Sequence, residues 1–170
     1  IVRLSGEFPD SYLTFSQYRD ADLQAILYAC VSRDRAIGDR VHPLPVYATA
    51  AGVVYFAYAP FTRIRQFIRQ RPFRPAAERP GWFSLTEFEH AVWRCRQNGY
   101  AALPWVPESE MRIAFPLCRG DEFGGIITVS RPRVTPEEKQ RFLERVSTFG
   151  NVLPEMEKPA AGLQEPGKLA

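Results

Sequence analysis

Thr49-Ala50-Ala51-Gly52 stands where a helix is expected to begin, and it is the first stretch of this 170-residue chain that could do chemistry. Small side chains leave the first-turn amides of a helix open, and those amides together with the helix dipole favour an anion. Close packing of the helix on a sheet accounts for the same composition equally well. A second set of residues comes from strand alternation, which puts Ile126, Thr128 and Ser130 on one face and Ile127, Val129 and Arg131 on the other. On a neighbouring strand Glu110, Arg112, Ala114 and Pro116 share a face opposite Met111, Ile113, Phe115 and Leu117. Thr128, Ser130 and Arg112 therefore either line a cavity or face water. For Arg112 the alternative to a ligand role is an exposed ion pair with Glu110, two residues away on the same face.

Catalytic signatures are missing. The chain has no GxGxxG, no phosphate-binding Gly-Lys-Ser loop, no GxSxG elbow and no HExxH. His42 and His90 are the two histidines, one beside Pro43 and one on an amphipathic segment, so a triad is not expected. Glu108 and Glu110 read as solvated carboxylates at a strand start. Cys30, Cys95 and Cys118 are far apart and form no CxxC, which suits reduced thiols in a cytoplasmic protein better than a zinc site or a disulfide framework. No catalytic residue, no metal and no cofactor are expected.

The elements that must position these residues are legible in part. Tyr12, Thr14, Ser16 and Tyr18 alternate with Leu13, Phe15 and Gln17, and a second apolar run from Leu23 to Val31 completes an expected hairpin. Thr49 caps a helix that Pro60 stops. A second helix is expected over Phe61 to Arg71, with Ile64, Phe67 and Ile68 as its apolar stripe, and Pro72 to Pro80 reads as a connector. Ser84 and Glu87 have capping-box spacing at the start of a helix that Gly99 ends. Strands are expected over Tyr100–Val106, Glu110–Cys118 and Gly124–Arg131, the last two joined by Arg119-Gly120-Asp121. Thr135, Pro136 and Glu138 open a last helix that Gly150 should end or bend, and a flexible tail runs from Pro159. Strands, helices, strands and a helix joined by short hairpins give an α+β class with a mainly antiparallel sheet.

Composition agrees with one globular domain: 45% of residues are apolar and 13% aromatic, enough to close a core. No apolar run is long enough to cross a bilayer and no signal peptide opens the chain, so no membrane partner is expected. The net charge of +3 is localised, because residues 61–80 carry six Arg against Glu78 while the rest of the chain is balanced or slightly acidic. That concentration argues against a nucleic-acid surface spread over the fold. It leaves a solvated helix face, or a phosphate or partner contact, as readings of the arginines.

With these residues in view a family resemblance emerges. His42-Pro43-Leu44-Pro45-Val46-Tyr47-Ala48-Thr49-Ala50-Ala51-Gly52 resembles the segment with which effector-binding domains of IclR-family transcription regulators enter their first long helix, and Val53 to Pro60 continues it in register. Asn98-Gly99-Tyr100-Ala101, Arg112-Ile113-Ala114-Phe115-Pro116-Leu117 and Ile127-Thr128-Val129-Ser130-Arg131-Pro132 resemble the family's later helix end and its two closing strands. The similarity runs from about Tyr12 to Leu153. It implies a GAF-like fold, an antiparallel sheet flanked by helices, with a small effector between the sheet and the helix after Thr49. By that resemblance the Ala50 and Ala51 amides hold a carboxylate, and Thr128 and Ser130 match two hydroxyl positions. Arg112 stands where many members have Cys or a small polar residue, Leu103 stands near a position that is often Asp, and Val53 follows Gly52 where Lys or Arg is usual. Losing an acid and gaining a guanidinium shifts such a pocket towards anions.

The expected organisation is an effector-binding regulatory domain over 1–158 and a flexible tail over 159–170, with the family's DNA-binding winged helix-turn-helix lying outside the chain. The expected partners are a small carboxylate effector, a second or further copies of the chain as homodimer or homotetramer, and DNA only through that other domain. A GAF-type sensor attached to a different output is the alternative, and a small enzyme acting on a carboxylate is a more remote one.

Overall fold

A computed structural model describes residues 11–19, 22–30, 35–36, 42–75, 81–119 and 122–152. The alternating first segment forms β1 (Tyr12–Arg19), which pairs antiparallel with β2 (Asp22–Cys30), with a bulge between Phe15 and Ser16. Two short strands, β3 (Arg35–Ala36) and β4 (His42–Pro43), both add to β2. Next come a 3-10 turn (Val46–Ala48) and the helices α1 (Ala50–Tyr58), α2 (Phe61–Gln70) and α3 (Leu85–Asn98). The chain returns to the sheet as β5 (Ala101–Ala102), β6 (Glu110–Arg119) and β7 (Glu122–Pro132), and α4 (Pro136–Val152) follows. Among the described residues the sheet has seven strands in the order β3-β2-β1-β7-β6-β5, with β4 also on β2, and every pairing is antiparallel. The α+β, antiparallel, helix-flanked class expected from the sequence is the observed one.

Local signals placed the helices. Thr49 Oγ1 accepts from the Gly52 amide at 3.1 Å, and Ser84 Oγ accepts from the Glu87 amide at 3.1 Å. The Glu87 carboxylate reaches back one residue further than a capping box requires, accepting from the Phe83 amide at 2.9 Å. At α4 the box is reciprocal: Thr135 Oγ1 accepts from the Glu138 amide and Glu138 Oε2 accepts from the Thr135 amide. Gly99 ends α3 at φ +78°, a left-handed cap that glycine adopts without a Cβ penalty. Two boundaries differ from expectation. The strand expected over Tyr100–Val106 is only two residues long, because Pro104 and Pro107 have no amide to give a ladder and the chain turns between them. Gly150 does not end α4, which continues to Val152.

The sheet separates two cores. On one face Leu13, Met111, Ile113, Ile127 and Val129 pack with Val134 and Phe142 from the α4 side. On the other face lie Leu23, Ala101, Ala114 and Ile126, covered by α1, α2 and α3. Residues 50–57 of α1 are all buried, so this helix is apolar all round and is sandwiched between sheet and helices. Aromatic rings fill that layer. Phe88, with none of its surface exposed, has its ring centroid 5.0 Å from Phe56, 5.3 Å from Tyr47 and 5.9 Å from Trp82.

The last carbonyls of α1 need partners because the helix end is buried. Arg96 of α3 supplies them, its Nε donating to the Ala57 carbonyl at 2.9 Å and its Nη2 to the Phe56 carbonyl at 3.2 Å. Arg96→Ala is expected to destabilise the domain by roughly 1.5–3 kcal/mol, the range for hydrogen bonds to a charged group. Urea denaturation checks this, and an unchanged midpoint would show that water serves those carbonyls as well. Beside Arg96, burial pushes the Cys95 thiol up to about 12, so it stays protonated and unreactive at neutral pH.

Candidate functional site

Register decides which side chains share a face. Arg112 lies directly opposite Ser130, and Ala114 opposite Thr128. Ala101 lies opposite Ala114. Three of the six residues singled out from the sequence, Arg112, Thr128 and Ser130, therefore belong to one face of the sheet, and Leu103, just past β5, packs on the cluster that covers it. It is the face on which α1 packs, and Ala50 and Ala51 are buried in the same cluster as Ala114 and Ile126.

Burial is graded along this face. Ile126 and Ala114 are fully covered, Thr128 and Ser130 are half-buried, and Arg112 is open, with 59% of its side chain exposed. The guanidinium of Arg112 meets Glu110 Oε2 at 3.2 Å. The ion pair considered as the alternative to a ligand role is thus present, on a rim where both groups touch water. Leu103 is half-buried and packs against the α1-side cluster. At the start of α1 the Gly52 amide is taken by Thr49 Oγ1, and the Val53 amide by the Thr49 carbonyl at 3.2 Å. The Ala50 and Ala51 amides have no partner among the described residues and remain the donors of the first turn.

The two readings of the Thr49–Gly52 run separate here by residue. Gly52 answers to packing, because a Cβ at this position would overlap the carbonyl group of Val46 in the preceding 3-10 turn. Ala50 and Ala51 are open to either role.

Sequence reasoning missed the other wall of this face. β1 pairs with β7 so that Tyr12 lies opposite Ser130, Thr14 opposite Thr128 and Ser16 opposite Ile126. A row of hydroxyl-bearing side chains thus continues across the β7–β1 boundary. Ser16 is wholly buried, and its hydroxyl has no hydrogen-bond partner among the described residues. The alternation of β1 was visible in the sequence, whereas its partner strand, more than a hundred residues away, was not. Trp82 was missed as well. Its indole is buried edge-on against Trp105, centroids 4.6 Å apart, and Nε1 has no hydrogen-bond acceptor among the described residues.

The remaining candidates are placed elsewhere or are free thiols. His90 is exposed on α3, and His42 belongs to β4 on the far side of β2. Glu108 is exposed before β6. Cys95 and Cys118 are free thiols, and burial raises both. Among the described residues no three His, Cys, Asp or Glu side chains are grouped to hold a metal ion, and no helix is long and apolar enough to cross a membrane.

No family model and no curated protein matches the sequence. Solved structures do match the fold. The repressor BlcR of Agobacterium tumefaciens superposes with a TM-score of 0.65 at 19% identity, over 92% of this chain and 63% of BlcR. The C-terminal domain of the Escherichia coli transcriptional regulator KdgR gives 0.64 at 18% identity, over 88% of each chain. An IclR homologue from Microbacterium hydrocarbonoxydans, crystallised with 4-hydroxybenzoate, gives 0.62 at 14% identity, over 87% of this chain and 62% of its own. The chain thus spans a little under two thirds of BlcR and the homologue, and most of the isolated KdgR domain. These neighbours are transcription regulators, and the α+β architecture described above is the GAF-like fold of the C-terminal domain of IclR-type regulators.

Proposed function

We propose that this chain is a ligand-sensing regulatory domain that binds a small carboxylate or aromatic acid between α1 and the sheet face carrying Arg112, Thr128 and Ser130. The observation that carries the reading is the graded face itself. Thr128, beside buried Ala114, and Ser130, beside the open cation Arg112, carry hydroxyls outward along the face from the sealed floor at Ile126. In this reading the Ala50 and Ala51 amides hold the carboxylate, Leu103 packs on the ligand's apolar part, and Arg112 exchanges Glu110 for the anion. The exchange is cheap, since an exposed ion pair contributes only about 0–1 kcal/mol. The fold likeness to a homologue crystallised with 4-hydroxybenzoate supports an aromatic acid as one ligand class. The proposal extends to a homodimer or homotetramer that acts on DNA through a separate winged helix-turn-helix domain, with no catalytic step.

Calorimetric titration of the wild type and Arg112→Ala with a panel of small aliphatic and aromatic acids tests the reading. A bound acid would cover the guanidinium, and a guanidinium–carboxylate bond shielded from water contributes about 1.5–3 kcal/mol, so the variant should bind about 10- to 100-fold more weakly. Its unfolding midpoint should hardly move. Equal affinity of both proteins for whichever acid binds would leave Arg112 a surface residue paired with Glu110.

A further inference from the structure

The arginines of α2 play no part in the site described above. Ile64 and Phe67 turn inwards, whereas Arg63, Arg65 and Arg69 are exposed, and Arg71 and Arg74 just beyond the helix are exposed too. The helix contains no Asp or Glu. Among the described residues Arg63, Arg65 and Arg69 form no ion pair; Arg65 instead lies over the exposed ring of Phe61, 5.7 Å from its centroid. Arg65 and Arg69 are four residues apart, a like-charge spacing that destabilises a helix rather than supporting it. Arg65 and Arg69 thus share an outer face of α2 that no carboxylate among the described residues compensates, with Arg63 on its flank and Arg74 beyond its end, in the stretch 61–80 where the chain's positive surplus lies.

We propose that the outer face of α2 docks on the phosphate backbone of duplex DNA, without regard to sequence. Charge complementarity selects this occupant. Guanidinium forks match phosphate oxygens in two-pronged geometry, which lysine does not do, and an array confined to about 15 Å of helix spans several phosphates of a duplex. Among the described residues no recognition helix accompanies it, so affinity should come from phosphates alone. In a regulator whose other domain grips an operator, such a face would hold this domain against flanking DNA.

Fluorescence anisotropy with a labelled 24-base-pair duplex of random sequence, at about 20–200 mM NaCl, tests this on the chain as it stands. Three phosphate contacts predict a slope of log K against log salt of about −3, equal for unrelated duplexes. Arg65→Glu with Arg69→Glu should remove at least two contacts, flattening the slope by about 2 and weakening binding at least tenfold at low salt. The charge-matched pair Arg141→Glu and Arg145→Glu on α4 should leave binding within about twofold, with circular dichroism confirming that both variants fold. Absence of binding at the lowest salt, or equal loss in both double variants, would overturn the proposal. Polyglutamate competing as well as DNA at equal charge would overturn it too, in favour of an acidic protein surface.

Discussion

Gly52→Ala is expected to destabilise the domain by about 3 kcal/mol or more, although alanine is the better helix former. On propensity alone the substitution should stabilise α1 by about 1 kcal/mol. The added methyl, however, would overlap the backbone of Val46, and a carbonyl fixed in a 3-10 turn cannot rotate away as a side-chain end could. Overpacking of this kind costs about 1–3 kcal/mol and occasionally more, and here the obstacle is main chain. Urea denaturation should show a lower midpoint with an unchanged slope. A midpoint at or above that of the wild type would mean that α1 and the 3-10 turn separate freely.

Phe88→Ala should cost about 3–5 kcal/mol, the range for deleting a buried aromatic ring. Phe88 touches rings from four parts of the chain, Tyr47 before α1, Phe56 within it, Phe73 after α2 and Trp82 before α3, so its loss opens a void among groups that cannot all close on it. Phe88→Leu keeps much of the volume and should cost less than about 1.5 kcal/mol plus the lost edge-to-face contacts. Differential scanning calorimetry of both variants separates the two terms. Equal melting temperatures for the alanine and leucine variants would show that the ring's volume does not matter.

What could be read from the sequence was local. The caps at Thr49, Ser84 and Thr135, the left-handed stop at Gly99 and the alternation of β6 and β7 are all set by residues within a turn or a strand of one another. The faces of β6 and β7 followed from the period of two, and the register of their pairing then brings Arg112 onto the face of Thr128 and Ser130. The join of β1 to β7 depends instead on tertiary packing. For that reason Thr14 and Ser16 could not be placed beside the site from spacing alone, even though their alternation was plain. The aromatic layer escaped for the same reason, since Phe56, Phe67 and Phe88 look like separate helix stripes until three helices are folded over one sheet. Small residues at the start of α1 were ambiguous because packing and ligand binding ask for the same side chains. Only the approach of Val46 to Gly52 divides them.

A labelled amide spectrum followed during titration with 4-hydroxybenzoate and a set of small aliphatic acids tests the proposed site most directly. Saturable shifts are expected for whichever acid binds, largest at the Ala50, Ala51, Thr128 and Ser130 amides, with small changes at Ile127, Val129 and Phe142 on the opposite face. Saturable shifts centred on that opposite face or on α2, with Ala50 and Ser130 unmoved, would contradict the proposed site.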